Sequence, residues 1–178
     1  MGTPLVMNAT SLDAFKDKVI KDICPLGFTT GNHCAHFVGH VLKLNSSTKT
    51  GLTCDQMLPH PTKFPNAGSC IRANELFNAC KVINAAKESG CLIYITLASN
   101  IDADGKMGNI PQKHVGIYFQ GEVWNYSNDA GKVLREKVAD FKTRVDTAYH
   151  GHTIAKFTEI PALAVFLSPA QIQALAKP

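Results

Sequence analysis

The sequence lacks any apolar run near the ~18 residues that a membrane-crossing helix needs, which excludes a membrane span. Its start, MGTPLVMNATSLDAF, has no basic segment leading into a long apolar one, so no signal peptide is expected. Val6 stands where the myristoylation pattern after Gly2 needs Ser or Thr. Charged residues make up only 18% of the chain, and the net charge of +4 comes with lysines scattered along it, so nucleic acid is not an expected partner. None of the six cysteines pairs with another at Cys-x-x-Cys spacing, which disfavours a zinc ribbon or a thioredoxin-type site. There is no internal repeat and no linker.

What is present is an ordinary globular composition, 45% hydrophobic over 178 residues. That predicts a single domain over 1–178, expected to be a monomer. At this size a fold buries roughly 70% of its unfolded surface and needs no disulfide staples. Most of the cysteines are therefore expected to be small buried hydrophobes.

Ser11 is placed to cap a helix over 12–23, with Phe15, Val19, Ile20 and Ile23 on one stripe. A turn-rich loop follows, and Asn32 stands where an N-cap belongs, opening a helix to about Leu44. Positions 45–69 read as a surface excursion, and 70–88 as a helix that Gly90 stops. Cys91–Leu97 has the apolar continuity of a central strand. His114–Phe119, Gln120-Gly121 and Glu122–Ser127 predict a hairpin whose two-residue turn pairs 119 with 122. Residues 131–145 read as a charged surface helix, 155–167 as strand broken at Pro161, and 169–176 as a terminal helix. Helices first and an antiparallel sheet after them make an α+β domain.

The segment Gly31-Asn-His-Cys34-Ala-His-Phe-Val38 carries the most chemistry. Cys34 falls in a first helical turn, where free backbone N–H groups and the helix dipole favour a thiolate. It shares an arc with Phe37, Val38, Val41 and Leu42, while His33, His36, His40 and Lys43 occupy the opposite arc. Taken alone, this helix makes Cys34 the first residue of a buried stripe. His114 supplies a partner: it shares a strand face with Gly116, which leaves space above its neighbour for a substrate. The hairpin register puts Asn125 diagonal to His114, where its amide can orient the imidazole; a one-residue slip offers Asn128 instead.

Competing motifs are incomplete. His36 and His40 are spaced to chelate, but Phe37 follows His36 where the HExxH motif has its glutamate, so the pair reads as solvent-facing. His150-Gly-His152 reads as a loop. Asn100–Gly105 opens like an EF-hand loop, but Pro111 occupies the position of the bidentate glutamate. Asn125-Tyr-Ser127 fits a glycosylation pattern on a strand. No cofactor and no metal is expected.

The helix-opening Asn-His-Cys34-Ala-His-Phe-Val, the strand His114-Val-Gly-Ile-Tyr, the tight turn and a polar residue on the next strand together resemble the NlpC/P60 and CHAP group. These are papain-like cysteine peptidases and amidases, many acting on bacterial peptidoglycan. The resemblance implies a papain-like fold with Cys34 as nucleophile, His114 as base and Asn125 as orienter, though the third place in the family is often histidine. It implies wall peptides as substrate, production in a bacterial cytoplasm, and delivery to a target cell's periplasm or wall. A type VI secretion apparatus is one route and phage-type lysis another; an immunity protein is then an expected partner. A transglutaminase, deamidase or acyltransferase would use the same residues, and a non-catalytic binding module would keep the fold without turnover.

Overall fold

A computed structural model of the chain describes residues 6–44, 51–57 and 68–175. Four helices come first: α1 (Ala9–Asp13), α2 (Ile20–Ile23), α3 (Cys34–Val41) and α4 (Ala73–Ala79). Then follow β1 (Val82–Ile83), β2 (Cys91–Leu97), β3 (Lys113–Phe119), β4 (Glu122–Ser127), β5 (Lys132–Lys137), α5 (Val138–Ala148), β6 (Thr153–Thr158) and α6 (Pro169–Ala174). The fold is α+β, with one antiparallel six-stranded sheet in the order β1-β6-β2-β3-β4-β5. Among the described residues no helix is long and apolar enough to cross a membrane.

Both faces of the sheet are covered, which is why β2 reads as nearly continuous apolar sequence. Leu92 and Tyr94 join a core with Val115, Ile117, Trp124 and the helices α1–α4 and α6. Cys91, Ile93 and Ile95 point the other way, into a smaller core with Tyr118, Val123, Phe141 and Val145 beneath α5. The hairpin has the predicted register, Phe119 opposite Glu122. Gln120 (φ 49°) and Gly121 (φ 83°) supply the left-handed pair that a tight turn between twisted strands requires.

Several expected boundaries move, each because a neighbour captures the backbone. The helix expected over 12–23 is two short ones, and Asn8 rather than Ser11 caps the first. Between them Asp17 turns left-handed (φ 63°), and residues 17 and 18 hydrogen-bond to Val133 along the β5 edge. The helix expected over 70–88 stops at Ala79, because Val82 and Ile83 add a strand beside β6. Residues 131–145 divide into β5 and the first part of α5. The excursion expected over 45–69 lies partly outside the described residues; its Cys54–Met57 portion is a 3-10 turn.

Helix α3 is the centre of this packing: every residue from Cys34 to Val41 is buried. Gly39 allows the 69–70 segment to lie against it. A Cβ at 39 would overlap Ser69 Oγ and stand 3.0 Å from the Cys70 carbonyl oxygen. Gly39→Ala should therefore lower stability by roughly 1–3 kcal/mol through overpacking, although alanine is the better helix former by about 1 kcal/mol. Thermal unfolding decides between the two effects; an unchanged or higher midpoint would mean that Ser69 moves aside freely.

Candidate active site

Cys34 is the first residue of α3, with His33 at the N-cap. Asn32, the expected cap, instead accepts the Cys34 amide N–H on its Oδ1 at 3.0 Å. The His33 amide donates to Asn128 Oδ1, also at 3.0 Å. Two orphan donors of the helix start are thus satisfied by asparagine side chains, the Cys34 N–H among them. Cys34 is 3% exposed. Burial pushes its thiol up to about 11, against the backbone N–H groups of Val115 and Ala35 that favour the anion. This reverses the expected lowering: the helix end does attract negative charge, but desolvation costs the thiolate more.

His114 is the second residue of β3, and its Nε2 lies 3.0 Å from Asn125 Oδ1 on β4. Three further contacts fix which way that amide faces. Arg144 Nη2 donates to the same Oδ1 at 3.0 Å, and Asn125 Nδ2 donates to Glu136 Oε2 at 2.8 Å. Glu136 in turn accepts from Arg144 at both oxygens, Nε to Oε1 at 2.8 Å and Nη2 to Oε2 at 2.7 Å. A guanidinium only donates and a carboxylate only accepts, so the amide has one possible orientation. The imidazole must then carry its proton on Nε2 and its lone pair on Nδ1. Burial, opposed by the Asn125 bond, draws the His114 pKa down to about 4. Burial also acts on Glu136, but Arg144 and the Asn125 amide outweigh it and hold that carboxylate below its ordinary range.

Cys34 belongs to the core on the helix side of the sheet, whereas the His114 ring rests against Phe141 on the other side, centroids 5.6 Å apart. They approach at the beginning of β3, where the Val115 amide, next after His114, points at the sulfur. Two depressions of about 420 Å³ each open there. Cys34, Phe28, Arg72 and Lys113 line one; His114, Arg144 and Tyr149 line the other; Asn32 and Pro111 border both. Among the described residues no hydrogen bond joins the sulfur to the imidazole directly.

The space above Gly116 is not a substrate channel as expected. A Cβ there would stand 2.6 Å from Val123 Cγ1 and 3.0 Å from Asn125 Cβ, so the glycine serves to let β4 carry Asn125 close to His114. Between the two asparagines, Asn125 meets the imidazole while Asn128 serves the helix start. Glu136 and Arg144 were not legible as site residues, since they lie in a stretch whose charge pattern reads as solvent-facing.

His36 and His40 do not face solvent either; they are 0% and 3% exposed. Helix α3 has no free face, and the Cys24 loop and the Cys54 turn cover its polar arc. Cys24, His36, His40 and Cys54 bring four potential ligand atoms within 4.8 Å of one another. The other partial motifs are turns. Asp102 Oδ1 accepts from the Asp104 and Lys106 amides, and residues 150–152 all have positive φ. Asn125 is wholly buried and offers no acceptor for a glycan.

Compared with known family models, curated proteins and solved structures, the chain matches none.

The His114 environment fixes a pH dependence. A histidine near 4 in the fold and near 6.5 unfolded binds fewer protons when folded. Its contribution to stability is complete above about 6.5 and is lost as pH falls toward 4. Between pH 7 and 4.5 the wild type should therefore lose stability faster than His114→Gln in denaturant titrations. A constant difference between them would show that His114 titrates normally.

Proposed function

We propose that the protein is a papain-like cysteine hydrolase, of the NlpC/P60 and CHAP kind, that cuts amide bonds in peptidoglycan peptides. The observation that carries the reading is the locked tautomer of His114. A base for a thiol needs an unprotonated nitrogen facing outward from its orienter, and the Asn125 amide leaves Nδ1 in that condition. Cys34, at a helix start against the next residue of the same strand, supports the role of nucleophile.

In this reading the resting pair is neutral, a thiol and an imidazole, because both groups are buried. As sulfur attacks the carbonyl carbon, Nδ1 takes the thiol proton. The imidazolium returns that proton to the departing amine as the C–N bond breaks, leaving a thioester. Water, deprotonated by the same nitrogen, then releases the acid and restores the thiol. The substrate oxygen takes the Cys34 N–H from Asn32 as it enters. Arg72 and Lys113 beside the Cys34 depression suit a substrate bearing carboxylates, as wall peptides do. Delivery into a target cell's periplasm or wall, by a type VI apparatus or by lysis, and an immunity protein over the cleft belong to the same proposal.

A second reading is a binding module without turnover, favoured by the buried, protonated Cys34. Purified peptidoglycan incubated with the protein and analysed by mass spectrometry tests both. New termini at an amide bond are expected, absent with Cys34→Ala and reduced by about 10²–10⁴-fold with His114→Ala, both variants keeping the wild-type circular dichroism. Intact wall peptides, with Cys34 alkylated no faster than the other five cysteines, would leave the binding module. Intact wall peptides with selective alkylation of Cys34 would point to acyl transfer on proteins.

A further inference from the structure

The cluster under α3 has no part in this chemistry, yet it is built from residues that rarely converge without reason. The geometry points to a structural zinc site formed by Cys24, His36, His40 and Cys54, a metal not expected from the sequence. The four occur as Cys-x11-His-x3-His-x13-Cys, the two histidines one helical turn apart on α3. All four are buried.

Two of the six separations lie close to the edges of a zinc tetrahedron, and all four ligand atoms lie within 4.8 Å of one another. With Zn–N of about 2.0–2.1 Å and Zn–S of about 2.3 Å, ideal angles put two nitrogens roughly 3.3 Å apart and a nitrogen and sulfur roughly 3.6 Å apart. Here His36 Nε2 lies 3.1 Å from His40 Nε2, and Cys54 Sγ lies 3.7 Å from His40 Nε2. The surroundings complete the pattern. A metal-bound histidine donates its other N–H to an acceptor, and His36 Nδ1 has His33 Nδ1 at 3.1 Å. The Ser69 amide donates to Cys54 Sγ at 3.3 Å, as suits a thiolate. Two nitrogens and two sulfurs converging within 4.8 Å select zinc over the oxygen-seeking calcium and magnesium. Four protein ligands leave no open position, so the site holds structure and activates no water. Binding displaces one proton from each thiol, two per zinc.

The metal would fasten the start of α3 from beneath. His36 follows Cys34 by two residues, and Phe28, which lines the Cys34 depression, packs edge-on against the His33 and His36 rings. The zinc site does not depend on the proposed hydrolysis, and its test reads metal and thiols rather than turnover.

Full-length protein purified under reducing conditions without chelator should contain about one equivalent of zinc by elemental analysis. After removal of zinc, cobalt(II) should restore binding with the intense visible bands of a tetrahedral thiolate complex. Cys24→Ser/Cys54→Ser should lose both. Because that variant risks misfolding, alkylation of the wild type gives an independent readout. Zinc should shield Cys24 and Cys54 from iodoacetamide, and a chelator should expose both, as peptide mass mapping would show. Any one of four results overturns the site: no zinc with no cobalt uptake by the reduced protein, a Cys24–Cys54 disulfide in place of bound metal, equal labelling with and without zinc, or stoichiometric metal kept by a folded double variant.

Discussion

A helix with no solvent face must satisfy its polar side chains inside the fold, and α3 carries three histidines in or beside its first two turns. This one constraint orders much of the molecule. The apolar arc of α3 presses Phe37, Val38 and Val41 into the larger core. Its polar arc can be buried only if other elements bring partners to it, and they do: the Cys24 loop, the Cys54 turn and Ser69, whose hydroxyl donates to the His36 carbonyl at 3.2 Å. Gly39 exists in that context, as the point where the helix surface is thin enough for the 69–70 segment to pass. Burial also decides the state of Cys34, since the same closure that seats the helix desolvates the thiol.

The second organising contact is local and electrostatic. Asn125 is buried in β4 with every polar atom of its amide engaged, and its orientation is set by a bidentate Arg144–Glu136 pair. Such a pair is only partly buried, so its worth lies in geometry more than in stability. It converts the identity of two residues on β5 and α5 into the protonation pattern of an imidazole on β3. Trp124 and Arg135 do comparable work for the N-terminus: the indole N–H and the guanidinium both bond Asp13, which holds the end of α1 to the sheet.

Sequence periodicity located the parts that depend on few neighbours. The β2 run, the hairpin register, the Cys34 helix and the diagonal placement of Asn125 all follow from spacing within about ten residues. It failed where a distant strand edge overrides local preference, as when β5 captures residues 17 and 18 or β6 captures Val82 and Ile83. Glu136 and Arg144 were invisible because no local pattern distinguishes a carboxylate that braces a buried amide from one facing water. The histidine arc was misjudged for a related reason. A polar stripe on an amphipathic helix normally marks solvent, and only the tertiary fold shows that Cys24 and Cys54 lie across from it. Spacing of cysteines to histidines, rather than of cysteines to each other, is the signal that would have exposed the cluster.

The sheet acts as a partition between two cores. Cys34 and its helix belong to one compartment, while the residues that set the tautomer of His114 are anchored in the other, among Phe141 and Val145. Substitutions on α5 or β5 can therefore retune the imidazole without disturbing how the thiol is packed, and changes around α3 can do the converse. Packing of the thiol and protonation of the imidazole thus draw on different parts of the protein's stability.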